Sequence, residues 1–223
     1  MSKKEETITI KEFEVRRIVI TLVGQTPLIV SAFSEKAKRQ MLEVQQKKVR
    51  GPKQSREPLE EFVNSLYWLS DKPKTITEES VAEAVKKGRF GFKCVSFKES
   101  AVSAALFIGE IKFKKHGYAV FHINGELNNG EDFTEIIGDK PVMREDTVRL
   151  SGITRSSYLR YRGEFRNWKV NLNIEYLPAL VTSEQLVNWF NFGGSVGGMG
   201  EYRIEKGGTF GRYKVGEVKA VNK

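Results

Sequence analysis

Eight glycines fall within the twenty residues from Gly193 to Arg212, in the run GGSVGGMGEYRIEKGGTFGR. Glycine loses more backbone freedom on folding than any other residue, so such a run must serve a turn, a close backbone approach or a ligand. It follows a helical pattern, SEQLVNWFNF, and precedes a strand-like one. A Rossmann or phosphate-loop cradle needs the opposite order: strand, glycines, then helix. The chain also lacks GxxxxGK[ST], so nucleotide hydrolysis is not expected. Two roles stay open: a hairpin with tight turns, or a loop whose bare N–H groups meet phosphate.

The remaining pattern is mixed. The β-branched stretch 14–23 predicts a central strand, and Leu28-Ile29-Val30 continues extended after Thr26-Pro27. Ser34 is placed to cap a basic helix from Glu35 with a weak apolar stripe of Ala37, Met41 and Val44; 47–57 reads as an exposed loop. Pro58 opens a helix with Leu59, Phe62, Val63, Leu66 and Tyr67 at core spacing. Thr75 with Glu78, Ser96 with Glu99, and Thr182 with Gln185 read as capping boxes. They predict helices over 76–87, 97–108 and 183–192. Strands are expected at 118–123, 134–137, 147–150, 168–176 and 209–215. The result is an α+β protein, antiparallel or mixed, with helices packed on one face of the sheet.

Charge points to a partner. Lys plus Arg is 37 against 28 Asp plus Glu, a net of +9, which suits a polyanion because each neutralised phosphate releases counterions. From Glu35 to Arg56 eight cations (Lys36, Lys38, Arg39, Lys47, Lys48, Arg50, Lys53, Arg56) face two glutamates. From Arg144 to Arg166 lie Arg144, Arg149, Arg155, Arg160, Arg162 and Arg166, with Tyr158, Tyr161, Phe165 and Trp168 beside them. Arginine forks chelate phosphate and aromatic faces stack on bases, which suits single strands. The same alternation also fits the wet face of a β-region.

Other chemistries have little to draw on. One cysteine, Cys94, excludes a disulfide framework and reads as a small core residue. Two histidines, His116 and His122, leave little for a metal site and read as strand or loop residues. Asp132, Asp139, Glu145 and Asp146 could form a metal pair, although scattered loop carboxylates are far more often solvated surface. Trp189 has core spacing, and Trp168 is either core or a stacking platform. No apolar run approaches the ~20 residues that cross a bilayer, and the N-terminus has no signal-peptide core, so a cytoplasmic protein is expected.

Three segments then combine: Thr26-Pro27-Leu28 after the first strand, the junction Cys94 to Ala101, and Gly193 through Arg212. This order resembles the RAMP superfamily, the RRM-like backbone subunits of CRISPR effector complexes, and is similar to proteins encoded by tailed phages. The resemblance implies a modified RRM or ferredoxin-like sheet over 1–216. A basic arm (35–70) and a β insertion (125–166) would interrupt it, with a C-terminal glycine-rich loop and a flexible tail at 217–223. RNA-cleaving members carry an Asp near the first helix, whereas this chain has none between Thr26 and Leu69. Binding without catalysis and without a cofactor is therefore expected.

The resulting expectation is sequence-tolerant binding of RNA or single-stranded DNA by a subunit that self-assembles head to tail, in the host cytoplasm if phage-encoded. Phosphates would sit over Ser31 and the following helix start with its cations, over Ser96 and Lys98 at a helix N-terminus, and over Gly197, Gly198 and Gly200 with Arg203, Lys206 and Arg212. The arginines at 144, 149, 155, 160 and 162 would complete the surface. Two rivals are a phage module that engages a host or defence protein complex, and a metal-dependent ribonuclease.

Overall fold

The computed structural model describes residues 13–33, 57–149 and 157–221, with scattered positions between 38 and 46. The expected helix start at 35, the basic loop from 47 and the last two residues of the tail lie outside the described residues.

In chain order the elements begin with β1 (Arg16–Gly24), β2 (Leu28–Val30), α1 (Pro58–Ser65), α2 (Glu78–Lys87) and β3 (Gly91–Lys93). Next come α3 (Cys94–Phe107), α4 (Lys114–Val120), β4 (Phe121–Asn124), β5 (Glu126–Asn128), β6 (Glu131–Glu135) and β7 (Ile137–Gly138). The chain continues through β8 (Val142–Arg149), β9 (Ser157–Phe165), β10 (Trp168–Tyr176), α5 (Ser183–Phe192) and β11 (Tyr213–Val221). The protein is α+β, and its sheets are antiparallel.

Hydrophobic alternation explains the main sheet, whose strand order is β11-β1-β10-β4, with β7 alongside β10. Ile18, Ile20 and Leu22 of β1 and Val170, Leu172 and Ile174 of β10 are buried on one face, since successive side chains point to opposite sides of a strand. Lys169, Asn171, Asn173 and Lys214 lie exposed on the other. The buried face meets α3 and α5: Phe97 contacts Tyr213 edge-on, and Phe121 contacts Trp189 and Phe190. Trp68, Trp168 and Trp189 are all core, so Trp168 is not a stacking platform. Cys94 is buried too, and burial with the nearby Asp132 charge pushes its thiol up to about 12, which leaves it un-ionised.

Two smaller sheets are built from what lies between these strands. One pairs β2, β9 and β8 into a long hairpin; the other pairs β3, β6 and β5. Gly163 of β9 lets α1 approach, and its N–H donates to Ser65 Oγ at 2.9 Å.

Four local expectations are corrected. The cap of α2 is Thr77, not Thr75: its hydroxyl accepts from the Ser80 N–H. Ser96 and Glu99 form no capping box, because β3 runs directly into α3, which starts at Cys94 with no side-chain cap. Glu99 is drawn sideways by Lys114, Tyr118 and Ser103. Residues 118–120 are helical rather than extended, and His116 lies on α4, since Gly117 brings that helix against Val102. The tail is not loose at 217–221: those residues belong to β11 and pair with β1. The Thr182–Gln185 capping box is present as expected.

Candidate nucleic-acid interface

The three segments singled out in the sequence meet in space. Glycine-rich residues lace onto the Thr26-Pro27-Leu28 turn: Gly211 N–H donates to Pro27 O at 2.8 Å, Glu201 N–H to Ile29 O at 2.9 Å, and Arg212 N–H to Thr26 Oγ1 at 2.9 Å. The helical junction joins them through buried Ser100, whose hydroxyl donates to Gly193 O at 3.1 Å and pairs with Tyr213 OH at 2.8 Å. After α5 the chain tightens into a π-type turn, Gly193–Gly197, rather than stopping at the glycine pair.

Between these segments runs a cleft of about 880 Å³. Ser31, Ser96, Ser103 and Ser195 offer hydroxyls along it, Tyr67 and Phe92 rings, and Gly197, Gly198, Gly200 and Arg203 a loop wall. Val95 and Phe107 stand at it largely exposed, at 63% and 77%. Its charge is not what a phosphate channel would carry. Glu99, Glu201 and Glu205 line it with Arg203, and that arginine is paired with Glu205 at 2.8 Å and donates to Gly200 O. Burial, with the charges of Glu131 and Glu201, pushes the Tyr67 phenol up to about 12. It therefore stays protonated in an electronegative setting.

The protein's own backbone accounts for several of the glycines. Gly198 N–H donates to Gly193 O and Met199 N–H to Gly211 O, so these donors turn inward rather than toward a ligand. A Cβ on Gly200 would lie 2.3 Å from Ile29 O, and one on Gly211 1.8 Å from Met199 O; both residues also have positive φ.

The hairpin arginines divide into two groups. Arg162 is buried: it donates to Asp146 at 3.0 Å and to Tyr202 OH at 3.0 Å, and its guanidinium lies over the Tyr202 ring. Arg144 joins Asp146 and Glu164 and covers Phe210. Both are therefore internal ties between the β8–β9 hairpin and the glycine-rich loop. Arg166 adds a bond to Glu164. Burial raises the Glu164 carboxyl, but the bonds from Arg144 and Arg166 outweigh this and hold it below its ordinary value. Arg160 is different: half-buried, it donates to Ser31 Oγ at 3.3 Å, which places a guanidinium at the Ser31 end of the cleft.

Other expected site residues scatter. Lys98 turns from the cleft, its ammonium 5.2 Å from the Phe121 ring centre, and burial lowers its pKa. Lys38, Arg149, Lys206 and Arg212 are exposed, and none lines the cleft. Arg155, Lys36, Arg39, Lys47, Lys48, Arg50 and Lys53 lie outside the described residues. Among the described residues, no group of three His, Cys, Asp or Glu is placed to hold a metal ion, and no helix is long and apolar enough to cross a membrane. Sequence reasoning missed Glu201, Tyr202 and Tyr67 as parts of this region. Their position inside or next to segments already marked was the only available signal.

In comparisons with known proteins, the chain matches no family model and no curated sequence.

Proposed function

We propose that this protein binds single-stranded nucleic acid, RNA or DNA, without cleaving it, along the cleft and the adjoining face of the β8–β9 hairpin. The observation that carries the reading is the convergence of Ser31 with Arg160, Ser96 and the 197–203 loop on one cleft of a chain with a net charge of +9. The element order β1-α3-β4-β10-α5-β11, with sheet order β11-β1-β10-β4, supports a modified RRM or ferredoxin-like sheet and so the likeness to RAMP backbone subunits. The exposed sheet face carries Val19, Thr21, Lys169, Asn171, Asn173 and Lys214, and the ring on it among the described residues is the His122 imidazole, with no Phe, Tyr or Trp. Base stacking is therefore better served at the cleft, beside Tyr67, than on that face. Phosphates keep to the rim, where Arg160 stands, because the cleft carboxylates repel them.

The first test is the 260/280 nm absorbance ratio of purified protein before and after nuclease digestion. Arg160→Ala is expected to weaken binding of an oligonucleotide about 3–10-fold at low salt and to lower the salt slope by about 1, with an unchanged melting temperature. Equal affinity for the variant removes the rim from the interface. A salt-independent affinity for a protein partner, with no nucleic-acid binding, would favour the rival module that engages a host or defence complex, for which exposed Val95 and Phe107 speak.

Assembly belongs to the same proposal. One domain covers only a few nucleotides, and tight sequence-tolerant binding relies on cooperativity along the strand. The mass measured by light scattering is expected to rise severalfold when a strand of about 60 nucleotides is added. A monomer at saturation overturns head-to-tail assembly on the strand.

A further inference from the structure

The three carboxylates of the cleft differ in what they already hold. Glu99 accepts from Lys114, Tyr118 and Ser103, and Glu205 is paired with Arg203. Glu201 lines the same cleft, half-buried, and no described side chain donates to it. Its backbone is fixed, since its N–H donates to Ile29 O at 2.9 Å and the neighbouring Tyr202 is clamped by Arg162. A rigid wall thus holds out a carboxylate acceptor in a cleft of about 880 Å³, within the size range of small-ligand sites.

Two kinds of group give a carboxylate two parallel N–H donors: an arginine side chain and the Watson–Crick edge of guanine. The net charge of +9 works against an arginine-rich partner and for a polyanion. Adenine and cytosine offer an amine beside an acceptor, and uracil offers one N–H between two carbonyls. Only guanine sets N1–H beside the 2-amino group, and cleft serines can donate to its O6.

We propose that the cleft seats a guanine base, its N1–H and 2-amino group donating to the Glu201 carboxylate. This rests on the nucleic-acid reading above and adds a base bias to otherwise sequence-tolerant binding. The experiment compares three labelled strands of about 8 nucleotides, short enough to limit assembly of several proteins on one strand. One is uridine only, one carries isolated guanosines at regular intervals, and one carries inosine at the same places; deoxy versions form a second set. Inosine lacks only the 2-amino group. The guanosine strand is expected to bind about 5–10-fold tighter than the uridine strand, and inosine to lose most of that gain, as a bidentate contact is worth about 1–3 kcal/mol. Glu201→Gln should abolish the guanosine strand's advantage over the other two. Equal binding of all three strands overturns the guanine seat and leaves the nucleic-acid reading standing. Failure of all three to bind overturns the parent reading instead. If Glu201→Gln weakens every strand alike, the carboxylate supports the loop rather than reading a base, and the proposal fails.

Discussion

Asp146→Ala should lower the stability of the protein by about 3–5 kcal/mol, the range for removing one partner of a buried ion pair. For a chain of this length that is a fall in melting temperature of roughly 10 °C. Among the described residues, Asp146 is the only carboxylate on Arg162, whose side chain is 3% exposed and whose Nε has no hydrogen-bond partner there. Without it, a buried guanidinium keeps one hydrogen bond, to Tyr202 OH, and a ring face. Arg144 would lose a partner as well. Pairing Asp146→Leu with Arg162→Met should recover much of the loss, because an apolar pair of similar volume avoids the desolvation of both charges. Arg166→Ala is the contrasting control. Its side chain is 66% exposed beside Glu164, so its loss should cost under about 1 kcal/mol. A loss below about 1 kcal/mol for Asp146→Ala in urea denaturation would mean that water reaches the ladder.

That ladder shows where sequence reading stopped. Six arginines interleaved with aromatic residues look like a surface for bases, and composition cannot tell a cation that waits for phosphate from one already satisfied. The register decides it. Arg144 stands opposite Arg162 and Asp146 opposite Arg160, so acid and base alternate along one face of the hairpin. That face is turned toward Tyr202 and Phe210 of a loop some forty residues or more further on. Among the described arginines of this run, Arg160 is the one that stands at the Ser31 end of the cleft.

Strands and caps with strong local patterns were legible. WKVNLNIEY alternates in the chain and alternates in burial, and Thr182 with Gln185 caps α5 as its spacing implies. Where tertiary packing competes, local pattern loses. Tyr118 to Val120 have strand propensity, yet they stay helical because Gly117 lets α4 pack against Val102. The tail residues Glu217 to Val221 look too polar for a strand, yet β1 offers them an open edge to pair with. The Ser96–Glu99 spacing matches a capping box, but Glu99 has better donors in Lys114 and Tyr118. The site followed the same division. Its segments could be named from the sequence, whereas its acidic lining depends on three glutamates brought together by the fold.

The glycine-rich loop should separate by position. Gly211→Ala is expected to cost about 3 kcal/mol or more. A left-handed conformation costs an L-residue roughly 1–2 kcal/mol, and overpacking adds about 1–3 kcal/mol. At Gly211 both apply: φ is +69°, and a Cβ would lie 1.8 Å from Met199 O, a backbone atom that cannot step aside without breaking the loop's ties to Pro27. Gly200→Ala should behave similarly, with φ +73° and Ile29 O 2.3 Å away. Gly197 differs. Its φ is not positive, and the nearest atom to a Cβ is Ser100 Oγ at 3.3 Å, so Gly197→Ala should change stability by less than about 1 kcal/mol. Yet Gly197 lines the cleft as Gly200 does. Thermal melts of the three variants, read beside oligonucleotide affinity at low salt, divide the loop's two roles. For Gly211→Ala, stability and affinity should fall together, because the loop loses its shape. For Gly197→Ala, affinity should fall while the melting temperature holds, because the added methyl narrows the cleft alone. A stable Gly211→Ala protein would show that the loop is not anchored by its own backbone. Full affinity in a stable Gly197→Ala protein would remove this wall of the cleft from the interface.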